Sequence, residues 1–150
     1  MKLKVKAVSP LLGTKIPLPA YATEGSAGLD LRACMENAVV VPKGGRALIP
    51  SGLAIELPDA CHVALVFARS GLAIKHGLAL ANGVGVIDSD YRGEIAVGLI
   101  NQGEADFVIE PGERIAQLVV MPVVQPTLAL TDTLSDTDRG AGGFGSTGTK

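Results

Sequence analysis

The 150-residue chain has no tryptophan, two tyrosines and three phenylalanines. With so few rings, a core built on aromatic packing is excluded, and Val, Leu, Ile and Ala must fill the interior. Cysteine is also scarce. Cys34 and Cys61 are too few for a secreted disulfide scaffold, and each is expected to be a buried, reduced thiol. No stretch reaches the roughly 18 consecutive apolar residues that a membrane-spanning helix needs. The opening MKLKVKAVSP alternates lysine with apolar residues and lacks the apolar run of a signal peptide. Together these absences point to the cytoplasm and to no membrane partner. The formal charge of −2 excludes a broad basic face, so no nucleic-acid partner is expected, because backbone binding rests on clustered Lys and Arg. A free nucleotide stays open, since a few local donors can hold its phosphates.

The chain does have 47% hydrophobic residues, 19 glycines and 9 prolines. That is enough apolar material for one core, and the turn formers imply short strands joined by tight turns. An all-β domain is expected. Leu3 to Val8 reads as a strand with lysines on one face and Leu3, Val5 and Ala7 on the other. LDLRA, AVVVP, RALIPSGLAIELP and CHVALVFA read as further strands, each ended by Pro, Gly or Asp. SGLAIKHGL is a modest helix candidate, short and bounded by glycine. LANGVGVIDSDYRGEIAVGLIN reads as a hairpin with an Asp-rich turn and an outgoing alternation of Ile95, Val97 and Leu99. ADFVIEP leads through the turn PGER into IAQLVVMPVV, a run suited to a strand buried on both sides. From Thr131 the composition turns polar and glycine-rich, too poor in apolar groups to fold alone. Residues 1–132 are therefore expected to form the β domain and 133–150 a flexible arm. No internal repeat is apparent.

Several chemistries are missing. The glycines after Arg139 lack the GxxxxGK[ST] spacing of a P-loop, no His/Cys cluster offers a zinc site, and there is no GxSxG nucleophile elbow. Carboxylate chemistry remains. Asp88 and Asp90 lie two apart and would share a face on a regular strand, although a turn between them would separate their roles; turn-forming Asp residues are the bland alternative. Asp30 sits in an apolar strand-like segment, where a charge needs a partner: an arginine, backbone donors or a hydrated metal ion. Arg69 and Ser70 form a short donor cluster at a strand end, readable as phosphate ligands or as a surface turn. His76, between Lys75 and Gly77, reads as a surface or interface residue, as does His62. Tyr91 beside Asp88 is an ordinary turn aromatic or, more sharply, a flat ring that leaves no room for a ribose hydroxyl. In the tail, Arg139, Ser146 and Thr147 supply donors for phosphate oxygens, and Phe144 can cover a base, worth about 1–3 kcal/mol of stacking. A polar tail without a role is the alternative.

Five segments in order, AGLDLRA, RSGLAIKHG, NGVGVIDSDYRGE, PGERIAQLV and RGAGGFGSTG, resemble the trimeric dUTP pyrophosphatase (dUTPase) family over nearly the whole chain. The resemblance implies Mg²⁺-dependent hydrolysis of dUTP to dUMP and pyrophosphate. It also implies a distorted jelly-roll or β-clip subunit with a flexible C-terminal arm, assembled as a homotrimer with composite active sites. By resemblance, Asp88 is the general base that activates water for attack on the α-phosphorus. Tyr91 discriminates deoxyribose, while Asn82 with the backbone of Gly85, Val86 and Ile87 reads uracil. Arg69, Ser70, Gly71 and Gln117 hold phosphates. Arg139, Gly145, Ser146 and Thr147 belong to the arm that closes on the phosphates, with Phe144 over uracil. Asp30 corresponds to a residue that organises the Mg²⁺ region through water. Two departures stand out: Ala68 replaces a common proline, and Gly83 makes the start of the hairpin permissive.

Two rival functions follow from the same residues. A dCTP deaminase, or its bifunctional form, shares the implied fold, but the chain lacks a fitting RSS and glutamate pattern. A noncatalytic nucleotide-binding trimer would need neither Asp88 nor a complete arm.

Overall fold

The computed structural model describes residues 1–143. Eleven strands and one short helix appear among them: β1 (Lys4–Ala7), β2 (Leu29–Arg32), β3 (Val39–Val41), β4 (Arg46–Pro50), β5 (Leu53–Glu56), β6 (His62–Ala68), α1 (Ser70–His76), β7 (Leu78–Leu80), β8 (Gly85–Ile87), β9 (Ala96–Asn101), β10 (Phe107–Ile109) and β11 (Arg114–Pro122). All strand pairs are antiparallel. They form four open sheets with orders β2-β11-β6-β8, β4-β9-β7, β1-β5 and β10-β3. The fold is all-β, as its composition indicates, and no helix among the described residues is long and apolar enough to cross a membrane.

The core is aliphatic. Its largest fully buried side chains include Leu31, Ile49, Leu53, Leu78, Ile95, Leu99, Ile109, Ile115 and Leu118. The period-two pattern of β9 holds: Ile95, Val97 and Leu99 are all buried. Asn101 continues that face and is therefore carried into the interior, fully buried. Its amide compensates by donating to the carbonyls of Val41 (2.9 Å) and Ala105 (2.8 Å) and accepting from the Gly103 amide (2.9 Å). Replacing it with Ala strips three backbone groups of their partner. We expect Asn101→Ala to destabilise the fold by about 2–4 kcal/mol, measured as a lowered urea midpoint.

Two local expectations are corrected, the 78–101 hairpin and the burial of Cys61. The segment SGLAIKHGL forms the short helix its pattern suggested, stopped at Gly77, whose φ of 71° is left-handed and whose Cα lies against the Gly103 backbone. The 78–101 region is not a simple ladder hairpin: β8 pairs with β6, whereas β9 pairs with β4 and β7. Burial of Ile95, Val97 and Leu99 draws the returning strand into a different sheet. All four residues of β1 are exposed, Val5 at 54%, because this strand pairs only with β5 at a sheet edge. Cys34 is buried and free, but Cys61 is exposed. It lies in the turn that starts β6, where its amide donates to Asp59 Oδ1 at 2.8 Å. The imidazole of His62 and that amide hold the Asp59 carboxyl below its usual range.

Candidate active site

Asp30 is the centre of the first cluster. Leu29 and Leu31 flank it on β2, and its side chain is 16% exposed, so its charge needs compensation. Two guanidinium groups supply it: Arg69 Nε lies 3.2 Å from Oδ1, and Arg114 Nη1 lies 3.0 Å from Oδ2. Arg69 also donates to the Arg114 carbonyl at 3.3 Å.

A β-bulge makes this possible. Gln117 pairs with Asp30 and Ala116 with Leu31, but the register then shifts so that Arg114 opposes Arg32. Ile115 is the extra residue. In a regular strand, alternation would send Arg114 to the face opposite Gln117; the bulge returns Arg114 to the Asp30 side. Gln117 completes the wall, donating from Nε2 to the Ala68 carbonyl at 3.0 Å. Asp30, Arg69, Ser70, Gly71, Arg114 and Gln117 thus line one cavity of about 280 Å³. Arg114 was missed in the sequence, although it lies inside PGERIAQLV. The signal was Asp30 itself, which required a cation.

The second cluster follows β8. Val86, Ile87, Asp88 and Tyr91 line one cavity of about 210 Å³, and Asp88 and Asp90 line a neighbouring one of about 580 Å³. Asp88 is exposed. A turn closed by the Tyr91 amide on the Asp88 carbonyl (3.2 Å) separates it from Asp90. The two acids therefore do not act as a strand-borne pair. The Tyr91 hydroxyl donates to the Glu94 carbonyl at 2.9 Å. Because β8 is the edge of its sheet, the outer backbone groups of Gly85, Val86 and Ile87 are presented for pairing. Asn82 lies exposed in the turn before β8, where Gly83 adopts a φ of 74° that a side chain would strain.

The two clusters stand apart within one chain. Ile87, just before Asp88, pairs with Ala64, whereas Arg69 follows the far end of β6. Five residues of strand separate those levels, roughly 17 Å. Arg139 is farther still along the chain, in an exposed turn where its Nε donates to the Gly142 carbonyl at 2.9 Å. Phe144, Gly145, Ser146 and Thr147 lie outside the described residues.

His76 packs its ring against Phe107 at 5.1 Å between centroids, and His62 Nδ1 meets Asp59 Oδ1 at 2.7 Å. His76 lines neither the Arg69 nor the Tyr91 cavity, whereas His62 lines the cavity of about 580 Å³ together with Asp88 and Asp90. Among the described residues, no group of three or more His, Cys, Asp or Glu side chains is placed to hold a metal ion.

Comparison with known proteins agrees with this architecture. The dUTPase family model matches residues 14–148. A deoxyuridine 5'-triphosphate nucleotidohydrolase of Hahella chejuensis is 55% identical over 148 residues, covering 99% of this chain and 97% of the relative. One from Enterobacter sp. (strain 638) is 54% identical over 149 residues, covering 99% and 98%. Among solved structures, the dUTPase of Staphylococcus bacteriophage 80alpha with dUPNHPP superposes with a TM-score of 0.87 at 28% identity, covering 98% of each chain. With a family model spanning most of its length and relatives more than half identical from end to end, the chain belongs to the dUTPase family.

Proposed function

We propose that the chain hydrolyses dUTP to dUMP and pyrophosphate, with Asp88 as general base, in active sites shared among the subunits of a homotrimer. One cavity supports this reading best: an exposed carboxylate, a pinned aromatic ring and the free edge of β8 meet around it. The edge offers backbone donors and acceptors for uracil, with Asn82 in the turn that precedes it. Cytosine presents the opposite donor pattern at its 4-position and would leave those groups unpaired. The Tyr91 ring lies against C2′ of the sugar, where a ribose hydroxyl finds neither space nor partner.

Asp88 accepts a proton from water as the water oxygen attacks the α-phosphorus. The bond from that phosphorus to the bridging oxygen of the β-phosphate breaks, and pyrophosphate leaves. Arg69, Ser70, Gly71 and Gln117 hold the phosphates. Asp30 orients Arg69 and Arg114, which otherwise would have many rotamers to choose from. The separation of roughly 17 Å along β6 exceeds the span of a triphosphate, so Asp88 and Arg69 in one site come from different subunits. A third supplies the arm with Arg139, Phe144, Gly145, Ser146 and Thr147, whose closure excludes bulk water.

The residues fit Mg²⁺ only in an indirect way. Both Asp30 oxygens are engaged by arginines, so Asp30 organises the region and is not a direct ligand. Such a set suits an ion that arrives on the triphosphate and keeps water ligands. When bound, Mg²⁺ would neutralise charge on the phosphates and the leaving pyrophosphate.

Pyrophosphate release from dUTP, dCTP, dTTP and UTP, with the nucleotide product identified, tests the reading. We expect release from dUTP alone, with dUMP formed. Ammonia from dCTP would establish a deaminase, turnover of UTP would remove the role of Tyr91, and binding without turnover would leave a nucleotide-binding trimer.

A further inference from the structure

Gly93 does not adopt a positive φ, so its backbone conformation is open to any L-residue. Its lack of a side chain has another cause. A Cβ built at Gly93 would fall 2.6 Å from Tyr91 Cζ and 3.1 Å from Cε2, with the Tyr91 hydroxyl closer still. Contacts below 3.0 Å are essentially never made by real Cβ atoms, so the phenol ring lies directly on the bare Cα.

The ring is held by hydrogen bonding at its tip and not by burial, since Tyr91 is 44% exposed. Its hydroxyl donates to the Glu94 carbonyl at 2.9 Å, and its own amide donates to the Asp88 carbonyl. Glu94 is in turn anchored, because its Oε1 accepts from the Gly52 amide at 2.7 Å. A tyrosine has only two side-chain torsions through which to adjust. A methyl group at position 93 must therefore displace the ring from its place in the wall of the cavity it shares with Val86, Ile87 and Asp88.

We propose that Gly93 is a specificity-determining positioning residue, the seat that sets the Tyr91 ring at the depth needed to separate deoxyribose from ribose. This rests on the reading that Tyr91 faces the sugar. Gly93 touches neither substrate nor the attacking water; it acts through the ring. Exclusion of one hydroxyl depends on a displacement well under a bond length, so a lifted or tilted ring loses selectivity before the reaction itself is lost.

The test is the ratio of kcat/KM for dUTP to that for UTP in the full-length wild type, Gly93→Ala, Tyr91→Ala and the double variant. Gly93→Ala should lower the ratio on the order of tenfold or more. In the Tyr91→Ala background the same substitution should change the ratio no further, because the ring it displaces is gone. An unchanged ratio in Gly93→Ala, or a second drop in the double variant, overturns the proposal. Should Tyr91→Ala itself leave the ratio untouched, the sugar-facing role of Tyr91 fails, and that result is distinct from failure of the seat. If Gly93→Ala does not fold, the double variant should fold again, since the clash is with the ring; a double variant that stays unfolded also overturns the proposal.

Discussion

Asp88→Asn should lower kcat for dUTP by about a thousandfold, within the range usual for loss of a general base, while substrate affinity changes little. The amide keeps the size and hydrogen-bonding reach of the carboxylate but cannot take the proton that water must lose. Asp88 is exposed, at the start of a turn closed by backbone hydrogen bonding, so the substitution leaves no buried group without a partner and assembly should persist. Single-turnover hydrolysis and calorimetric binding of a non-hydrolysable imido analogue of dUTP separate chemistry from binding. Loss of binding together with turnover would make Asp88 a substrate-holding residue. Turnover that survived in Asp88→Asn and vanished in Asp90→Asn would move the base to the other end of the turn.

Mixing two inactive variants should restore activity. If each site takes Asp88 from one subunit and Arg69 from another, Asp88→Asn and Arg69→Ala chains unfolded together and reassembled in equal amounts should recover about a quarter of wild-type activity, the fraction of heterologous interfaces that unite two intact partners. Each variant reassembled alone should stay inactive. No recovery in the mixture would place both residues in one chain's site, against their positions at the two ends of β6. The measurement is steady-state pyrophosphate release, with trimer content checked by light scattering.

Much of this is legible in the sequence. The alternation of Ile95, Val97 and Leu99 named the buried face of β9, and the apolar surroundings of Asp30 required a partner for its charge. The identity of that partner was less accessible. Arg114 lies 84 residues away, and by simple alternation it points to the wrong face; only the bulge at Ile115 brings it back. The expected pairing of β8 with β9 failed for a related reason. Local pattern suggested that neighbours in sequence would pair, yet β8 found β6 and β9 found β4 and β7. The exposure of Cys61 was lost to a residue-type tendency that a turn overrides.

Sequence alone determined the aliphatic all-β character, the absence of the P-loop, zinc and serine-nucleophile signatures, and the acids available for water activation. These follow from residue type and periodicity, which act locally. Tertiary structure decided which arginines meet Asp30, that the Tyr91 ring rests on Gly93, and that Asp88 and Arg69 of one chain stand at opposite ends of a strand. Period-two patterning says which face a side chain occupies, but the strand that lies opposite, and its register, depend on how the whole core packs.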